Sequence, residues 1–595
     1  MSAIGGIVTE NKKLEISALK KFLRSSIHRG DDSETLWHSA SAGFIQKQLW
    51  TTPESLHEIQ PLYDKEYGLV LTADARLDNR EELILQLSLA QRSVLKVTDV
   101  ELILYSYIKW RSNCVDHLVG DFAFAIWDIN NRSLFCARDH LGIKPFYYVI
   151  YRESFYFASE ISAIFSASGM QKKVNTKEIE HLLDAIAIYF VSTFFESIHC
   201  LLPGHYLVYA GGMLQKKRYW FPEQIAINKT ISFADAKHKF RTLLQEAVDD
   251  RLRSAYDVGC ELSGGVDSSS ILALTLNSSI STTVSPFTTR YGKLSCDEER
   301  YIDAMVNKYD LEPIVTWADQ LDYSHEYSLS DYYKIAPDWP GRGSFLDAKA
   351  EMQSAQERGV RVILTGQGGD HVAAGNNARL TDYFLERDYK RLWEEFSTYP
   401  FRLKTLKNYF FLPLFPEQIK TFLKILLGRT KKKRFTSMQN CFHSMTSAQS
   451  YMQKFEIDIL CGVSNQLWLE SNPYTTIGGL YNIEFRHPFF DKRIVEFMLS
   501  LPPWMKVKAG KNKIILREAL KDLLPETIYL RDDKAEFTDI IELQLQQNST
   551  KKDSMRFGTG NHSSAEEQIE YNINEAWKHL SINKWILNNK CKDDE

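Results

Sequence analysis

A glycine-rich loop between a short apolar strand and a helix limits the folds open to this chain. The loop follows a strand predicted over residues 257–262 and leads into a helix from Ser268 onward. Glycines let the backbone approach an anionic group closely, and the free N–H groups and dipole at a helix start attract that anion. This arrangement predicts a ligand at the carboxyl ends of the strands of a parallel sheet. The loop reads Ser263-Gly264-Gly265-Val266-Asp267-Ser268.

A second glycine-rich loop follows the strand predicted over residues 360–365, and its sequence runs from Thr365 through Gly366 and Gln367 to Asp370. For either loop alone, a plain turn capped by a polar residue is the alternative interpretation. In the first loop two serine hydroxyls can donate to an anion, and Asp267 can hold Mg²⁺. Because both loops end strands, Asp370 is expected to share that Mg²⁺ across the sheet.

The rest of the second half alternates between predicted strands and helices. A strand is predicted over residues 282–289, where Pro286 argues against a continuous ladder. Ser295 and Glu298 have the spacing of a capping box, and a helix is predicted over residues 345–358. Such alternation predicts an α/β fold with a parallel sheet.

The first half is richer in adjacent strands. Strands are predicted over residues 68–77, 121–128 and 133–137, and residues 145–158 predict a hairpin that turns near Arg152-Glu153. Tight turns between neighbouring strands predict antiparallel sheet. Since 595 residues are too many for one core, we predict two domains, residues 1–215 and 216–595.

Composition narrows the partners and the compartment. A formal net charge of −4 gives no reason to expect nucleic acid or a membrane surface. The eight cysteines are scattered without a CxxC pair, and the N-terminus lacks the pattern of a signal peptide, so a cytoplasmic protein is expected. Residues 376–460 are aromatic and basic, which favours a helical insertion with a solvated charged end over a substrate-docking surface. The polar tail from about residue 545 has the composition of a disordered segment.

Further motifs continue this pattern along nearly the whole chain, and together they resemble the asparagine-synthetase superfamily. The motifs of the second half are Glu484 to Asp491, Lys513 to Arg517 and Arg531 to Phe537. Those of the first half are His28-Arg29-Gly30, Gly120 to Phe124, Ala137 to Pro145 and Phe157 to Glu160. The resemblance implies an N-terminal Ntn-type αββα glutaminase-like sandwich, followed by an ATP pyrophosphatase (PP-loop) synthetase domain.

Position by position, the resemblance implies an ATP and Mg²⁺ site. The pyrophosphate would be bound by Ser263, Gly264, Gly265, Asp267 and Ser268. Leu262, Thr288 and Gly366 would line the adenosine pocket, and Asp267 and Asp370 would ligate Mg²⁺. Lys534 would stabilise the charge that develops on the α-phosphate and on the tetrahedral intermediate, with Arg517 assisting. Glu470 is the candidate base, should one be needed.

The N-terminal half departs from the family pattern at the positions that carry glutaminase chemistry. The family has a nucleophilic Cys at residue 2, where this chain has Ser2, and a hydroxyl ionises far less readily than a thiol. The family's Asn-Gly-Glu is Asp74-Ala75-Arg76 here. An anion therefore replaces an oxyanion-hole amide, and a cation replaces the carboxylate that binds the glutamine amine. We predict an inactive glutaminase half.

An amide ligase without its own ammonia supply must use an amine already on its substrate. Gln367 stands where asparagine synthetases have Glu and cannot take up a proton as Glu does, whereas a peptide α-amine is partly neutral at neutral pH. These features favour a resemblance to lasso-peptide macrolactam synthetases, which implies a precursor peptide substrate, a leader peptidase and a peptide-recognition protein. The alternatives are an asparagine synthetase using ammonia, or glutamine through Ser2, a β-lactam-synthetase-like cyclase and a nucleotide-binding pseudoenzyme.

Overall fold

The structure is a computed structural model of the full chain. The residues that it describes are 1–26, 28–89, 96–183, 192–322, 346–398, 403–411, 449–460, 474, 476–535, 537, 539, 540 and 543.

Two six-stranded antiparallel sheets form the N-terminal half. Their strands are β1 Ala3–Thr9, β2 Ser33–His38, β3 Ala42–Gln48, β4 Leu62–Asp64, β5 Leu69–Leu77, β6 Gly120–Asp128, β7 Ser133–Arg138, β8 Tyr147–Tyr151, β9 Ser154–Ala158, β10 His199–Cys200, β11 His205–Ala210 and β12 Met213–Arg218. The strand orders are β10-β8-β9-β1-β3-β2 and β12-β11-β7-β6-β5-β4. The helices are α1 Ile16–Ser25, α2 Arg80–Gln86, α3 Asp99–Trp110, α4 Cys114–His117, α5 Ile161–Ser168 and α6 Thr176–Leu183.

The two sheets lie face to face between helices. Apolar side chains from both sheets, among them Ile4, Phe44, Val70 and Ala125, form one buried cluster. Helices α1 and α5 pack together on the outer face of the first sheet, and α3 packs on β5 of the second. This is the predicted αββα sandwich. The predicted hairpin is also present, because β8 pairs with β9 across Arg152-Glu153, whose φ angles of 48° and 58° suit a tight turn.

A five-stranded parallel sheet forms the core of the C-terminal half, in the order β15-β14-β13-β16-β17. Its strands are β13 Val258–Glu261, β14 Val284–Arg290, β15 Ile314–Trp317, β16 Val362–Leu364 and β17 Glu484–Arg486, and a small hairpin pairs β18 Val507–Lys508 with β19 Lys511–Asn512. The helices are α7 Phe233–Leu252, α8 Val266–Leu276, α9 Glu299–Tyr309, α10 Leu346–Glu357, α11 Gly369–Val372, α12 Arg379–Leu385, α13 Tyr389–Thr398, α14 Leu403–Leu406, α15 Tyr451–Leu460, α16 Lys492–Leu499, α17 Ile514–Ala519 and α18 Glu526–Tyr529.

The strand predicted over residues 282–289 is confirmed as β14, and one local prediction needs correction. Strand β14 runs unbroken through Pro286, which lies opposite Cys260 of β13. The capping box at Ser295 is wrong, because α9 begins at Glu299 and Ser295 instead bonds Asp539 through its backbone N–H and hydroxyl. Asp297 accepts from the N–H of Glu299 and takes over the role of a cap.

The predicted insertion is helical where the structure describes it, in α12, α13, α14 and α15. Its basic run Lys431–Arg434 and the tail from residue 545 lie outside the described residues. Each helix in the described ranges is too short or too polar to span a lipid bilayer. The cysteines that the structure describes are free thiols.

Candidate active site

Two glycine-rich loops meet at the carboxyl ends of the neighbouring strands β13 and β16. A Cβ on Gly366 would lie 2.4 Å from the backbone nitrogen of Ser268, and one on Gly369 would lie 2.2 Å from Cγ of Asp267. Only glycine therefore allows the second loop to pack against the start of α8. Gly264, with φ of 73°, supplies the left-handed turn that the first loop requires.

The first loop is closed by its own serines. Oγ of Ser263 lies 2.9 Å from Oγ of Ser268, and the Ser268 hydroxyl accepts from the N–H of Ser263 at 3.2 Å. The loop is followed directly by α8, whose N-cap is Gly265. Free N–H groups and two hydroxyls therefore converge at a helix start, which suits a phosphate group.

Asp267 and Asp370 come together across these loops, as the sequence predicted, and a lysine joins them. Nζ of Lys513 lies 2.6 Å from Oδ2 of Asp267 and 2.6 Å from Oδ1 of Asp370. Lys513 belongs to one of the sequence motifs, but the motif predicted no role for it. Lys513 directly precedes α17, the helix that carries Arg517. Since Arg517 was already assigned to the site, this closeness in sequence was a signal that could have identified Lys513.

The charges of this cluster shift its ionisation. Burial raises the pKa of Asp267. Burial also opposes ionisation of Asp370, but the ammonium groups of Lys513 and Lys534 hold the pKa of Asp370 well below its usual range. The two carboxylates raise the pKa of Lys513 although burial opposes this. At neutral pH the cluster thus contains fixed charges of both signs, as binding of a metal-bound polyphosphate requires.

Lys534 lies at the mouth of the same site. Its Nζ is 2.9 Å from Oδ2 of Asp370, and its side chain is 81 % exposed. Lys534 stands on an irregular segment after α18, which leaves its ammonium group open to solvent. A substrate that covers the opening would bury this ammonium group.

Arg517 lines the cavity and also holds neighbouring backbone in position, and its assistance at the α-phosphate stays a prediction. Its guanidinium donates to the carbonyls of Asn512, Ile528, Tyr529 and Arg531. These bonds hold the segment that carries Lys534.

Arg531 is a second residue of the site to which the sequence motifs assigned no role. It donates to the carbonyl of Gly264 at 3.0 Å, pairs with Glu298 at 2.5 Å, and stacks over Tyr301 at 3.9 Å. Arg531 therefore fastens the Lys534 segment to the first loop.

A cavity of about 690 Å³ connects these groups. Ser263, Gly265, Asp267, Ser268, Gly366 and Asp370 line it, together with Lys513, Arg517 and Lys534. Of the predicted adenosine residues, Gly366 lines the cavity, whereas Leu262 and Thr288 are placed differently. Leu262 packs in the hydrophobic core, and the neighbouring Glu261 lines the cavity. Thr288 is buried, and the neighbouring Thr289 lines the cavity. Glu470 lies outside the described residues.

The carboxylates fit a magnesium ion. Mg²⁺ is typically held by one or two protein carboxylates together with substrate phosphates, and Asp267 and Asp370 supply two that converge on one point. Oδ1 of Asp267 is buried and accepts no hydrogen bond from any described residue. The ammonium of Lys513 lies between the two carboxylates and adds positive charge at the same point.

The positions that carry glutaminase chemistry in the resembling family are occupied by ion pairs. Oδ1 of Asp74 lies 3.0 Å from Nζ of Lys144, which also lies 2.9 Å from Glu484 of the parallel sheet. Arg76 is buried against Asp78 at 3.1 Å and Asp121 at 2.7 Å.

The hydroxyl oxygen of Ser2 is similarly engaged. It accepts from the N–H of Leu49 at 3.1 Å. This contact ties the Ser2 hydroxyl to the backbone just after β3, and an inactive glutaminase half stays a prediction.

Comparison with known proteins agrees with both halves. Residues 1–220 match the family model described as glutamine amidotransferase domain, and residues 239–573 match that of asparagine synthase. The chain is 26 % identical over 582 residues to the glutamine-hydrolysing asparagine synthetase 3 of Bacillus subtilis strain 168, covering 93 % of this chain and 91 % of that protein. It is 25 % identical over 574 residues to amidase chyE of Penicillium rubens, covering 85 % and 82 %.

Proposed function

The chain belongs to the asparagine synthase family, and we propose that it is an amide ligase whose nitrogen comes from an amine on its own substrate. The ATP-dependent carbon–nitrogen ligase activity is that of the family. The observation that carries the proposal is the contrast between the two halves. The phosphate site has its carboxylates and lysines in place, whereas Asp74 and Arg76 are fixed in buried ion pairs.

The residues of the C-terminal cavity can support carboxylate activation. A substrate carboxylate attacks the α-phosphate of ATP, forming an acyl-adenylate and releasing pyrophosphate. The loop Ser263–Ser268 would bind the pyrophosphate portion, and Lys513 would neutralise it. Mg²⁺ held by Asp267 and Asp370 would neutralise further phosphate charge. Lys534 would stabilise the negative charge that increases between the carboxylate and the α-phosphate.

The second step is attack by an amine on the acyl-adenylate. The new amide bond forms as the bond to AMP breaks, and the amine loses one proton. Gln367 lines the cavity but cannot accept this proton. An amine that is already partly neutral, such as a peptide α-amine, depends less on a base.

In its finer form the proposal is a macrolactam synthetase. The side-chain carboxylate of an Asp or Glu in a ribosomally made, lasso-type precursor peptide would be adenylated, and the peptide's own N-terminal amine would close the ring. Before ring closure, a leader peptidase and a peptide-recognition protein would prepare and deliver the peptide. Tethering raises the effective concentration of the amine by orders of magnitude, which would compensate for the absent ammonia supply.

The source of nitrogen is tested by comparing wild type with Ser2→Ala. Both proteins are given Mg-ATP, glutamine and either aspartate or synthetic peptides with one acidic residue at successive positions. Pyrophosphate, glutamate and the mass of the product are measured. We expect no glutamate from glutamine, equal pyrophosphate release by the two proteins, and a peptide product lighter by one water. An N-acetylated peptide should permit adenylation and block ring closure.

The second candidate is asparagine formation, which the similarity to asparagine synthetases favours. Production of asparagine from aspartate, ATP and ammonium would establish it in place of ring closure. Glutamate production that is lost in Ser2→Ala would show a working glutaminase. A protein that binds ATP but releases no pyrophosphate with any carboxylate would be a nucleotide-binding pseudoenzyme.

A further inference from the structure

We propose that Glu261 and Glu351 form a carboxyl pair that recognises the base of the nucleotide and selects adenine. One carboxyl donates to a ring nitrogen of the base, and the other accepts from its exocyclic amino group. The inference rests on the proposed function, because it takes the cavity to hold a nucleoside triphosphate.

The two carboxyl groups enter the cavity from different elements. Glu261 is the last residue of β13 and stands two residues before the phosphate loop. Because side chains alternate along a strand, Glu261 lies on the face opposite Leu262. Glu351 is on α10, and its Oε2 accepts from Oγ1 of Thr289 at 3.0 Å. All three of Glu261, Glu351 and Thr289 line the cavity that contains the phosphate loop.

One part of the cavity wall is cationic and another part is apolar. Lys513, Lys534 and Arg531 stand around the phosphate loop. Apolar side chains that pack together as one cluster supply another part of the wall, namely Met352, Tyr474, Ile477 and Phe485. Met352 is adjacent to Glu351 on α10, so the carboxyl pair borders this apolar wall. A purine has flat apolar faces and a polar edge. If the triphosphate lies at the cationic part of the cavity, the base lies against the apolar part.

One proton is shared unequally by the pair near neutral pH. Burial, helped by the charge of Asp347 one turn earlier on α10, raises the pKa of Glu351 to about 7. Burial and the neighbouring Glu351 raise the pKa of Glu261 well above its usual range. The hydroxyl of Thr289 stabilises the ionised form of Glu351. Because the Thr289 hydroxyl donates to Glu351, the ionised form is favoured on Glu351 and the proton on Glu261.

This polarity matches adenine. Adenine presents an amino donor beside a ring-nitrogen acceptor, so protonated Glu261 can donate while ionised Glu351 accepts. Guanine presents a carbonyl acceptor beside an N–H donor, which reverses the required order. Because the bond from Thr289 fixes the ionised form on Glu351, the reversed order is disfavoured.

The test measures equilibrium binding of two nucleotides and of inorganic pyrophosphate, each with Mg²⁺. The nucleotides are ATP and purine riboside triphosphate, in which hydrogen replaces the amino group of adenine. Wild type is compared with Glu351→Ala and with Glu357→Ala, a control at an exposed position on the same helix. We expect wild type and the control to bind ATP about ten-fold more tightly than the analogue, the effect of one hydrogen bond to a charged group.

Glu351→Ala should bind ATP and the analogue with equal affinity while keeping the wild-type affinity for pyrophosphate. That affinity reports on folding and on the phosphate site. The wild-type comparison needs no substitution, so it decides the matter even where the variant does not fold.

Equal binding of ATP and the analogue by wild type would overturn the inference and leave the proposed function standing. A variant with unchanged nucleotide affinities but lower kcat would also overturn it, since the pair would then act on the amine as a base. A wild-type protein that binds neither nucleotide nor pyrophosphate would refute the proposed function itself.

Discussion

Asp267 and Asp370, which belong to two different loops, are held by a single ammonium group, because Nζ of Lys513 lies 2.6 Å from an oxygen of each. The contact joins the carboxyl ends of β13 and β16 to the start of α17. A site assembled from three separated segments is complete only in the folded protein. The cluster is therefore the feature on which catalysis should depend most.

Asp267→Ala and Asp370→Ala are each expected to abolish pyrophosphate release, because either change leaves Mg²⁺ and the triphosphate with too few ligands. The measurement is pyrophosphate formation with Mg-ATP and the carboxylate substrate. Asp522→Ala is the matched control, since its carboxylate forms an exposed pair with Arg241. Turnover near the wild-type rate in either cluster variant would remove the assignment.

Lys534→Ala should separate binding from catalysis. Its ammonium is exposed in the free protein and is needed chiefly as negative charge increases at the α-phosphate. We expect the affinity for ATP to be retained and kcat to fall by about 10²- to 10³-fold. Lys508→Ala, at an exposed position on β18, serves as control. A raised KM for ATP with unchanged kcat would make Lys534 a residue for ground-state binding.

Lys144 should matter for stability. It is buried between Asp74 of one half and Glu484 of the other. Lys144→Ala would leave two buried carboxylates without their shared cation, and we expect a loss of about 3–5 kcal/mol in the free energy of unfolding. Lys229→Ala breaks an exposed pair with Glu386 and should cost at most about 1 kcal/mol. Equal denaturant midpoints for the two variants would contradict this.

The sequence predicted the parts of the site that are local. Both glycine-rich loops are short, and each follows its strand directly, so Asp267 and Asp370 could be assigned from neighbouring residues. Lys513 meets Asp267 across 246 positions of sequence, and Lys144 meets Glu484 across 340. Such pairs depend on how helices and loops pack, which no local pattern records.

The sequence also did not predict which side chains of the central strands face the cavity. A strand of a parallel sheet that is covered on both sides lacks the alternation of polar and apolar residues that would reveal its orientation. Leu262 and Thr288 were therefore expected at the cavity that Glu261 and Thr289 line. Lys534 was expected at the α-phosphate and lies beside Asp370, but the openness of its surroundings depends on the fold of the segment after α18.

Acid should destabilise the protein through His487. Nδ1 of this buried side chain lies 2.7 Å from Oγ1 of Thr365. Burial lowers the pKa of the imidazole to about 4. In the unfolded chain the pKa is about 6.5. Between these values the unfolded state binds a proton that the folded state does not, so the free energy of unfolding falls as pH decreases from about 6.5 to about 4. The contribution of this one group reaches about 3 kcal/mol.

His487→Gln removes the titration while offering a hydrogen-bonding group to Thr365. Urea unfolding of wild type and variant at several pH values from 7 to 4 measures the effect. We expect the variant to be less stable than wild type at pH 7 and to lose less stability on acidification. His57→Gln, at an exposed position, should follow the wild-type curve. Parallel curves for His487→Gln and wild type would show that the imidazole does not control this transition.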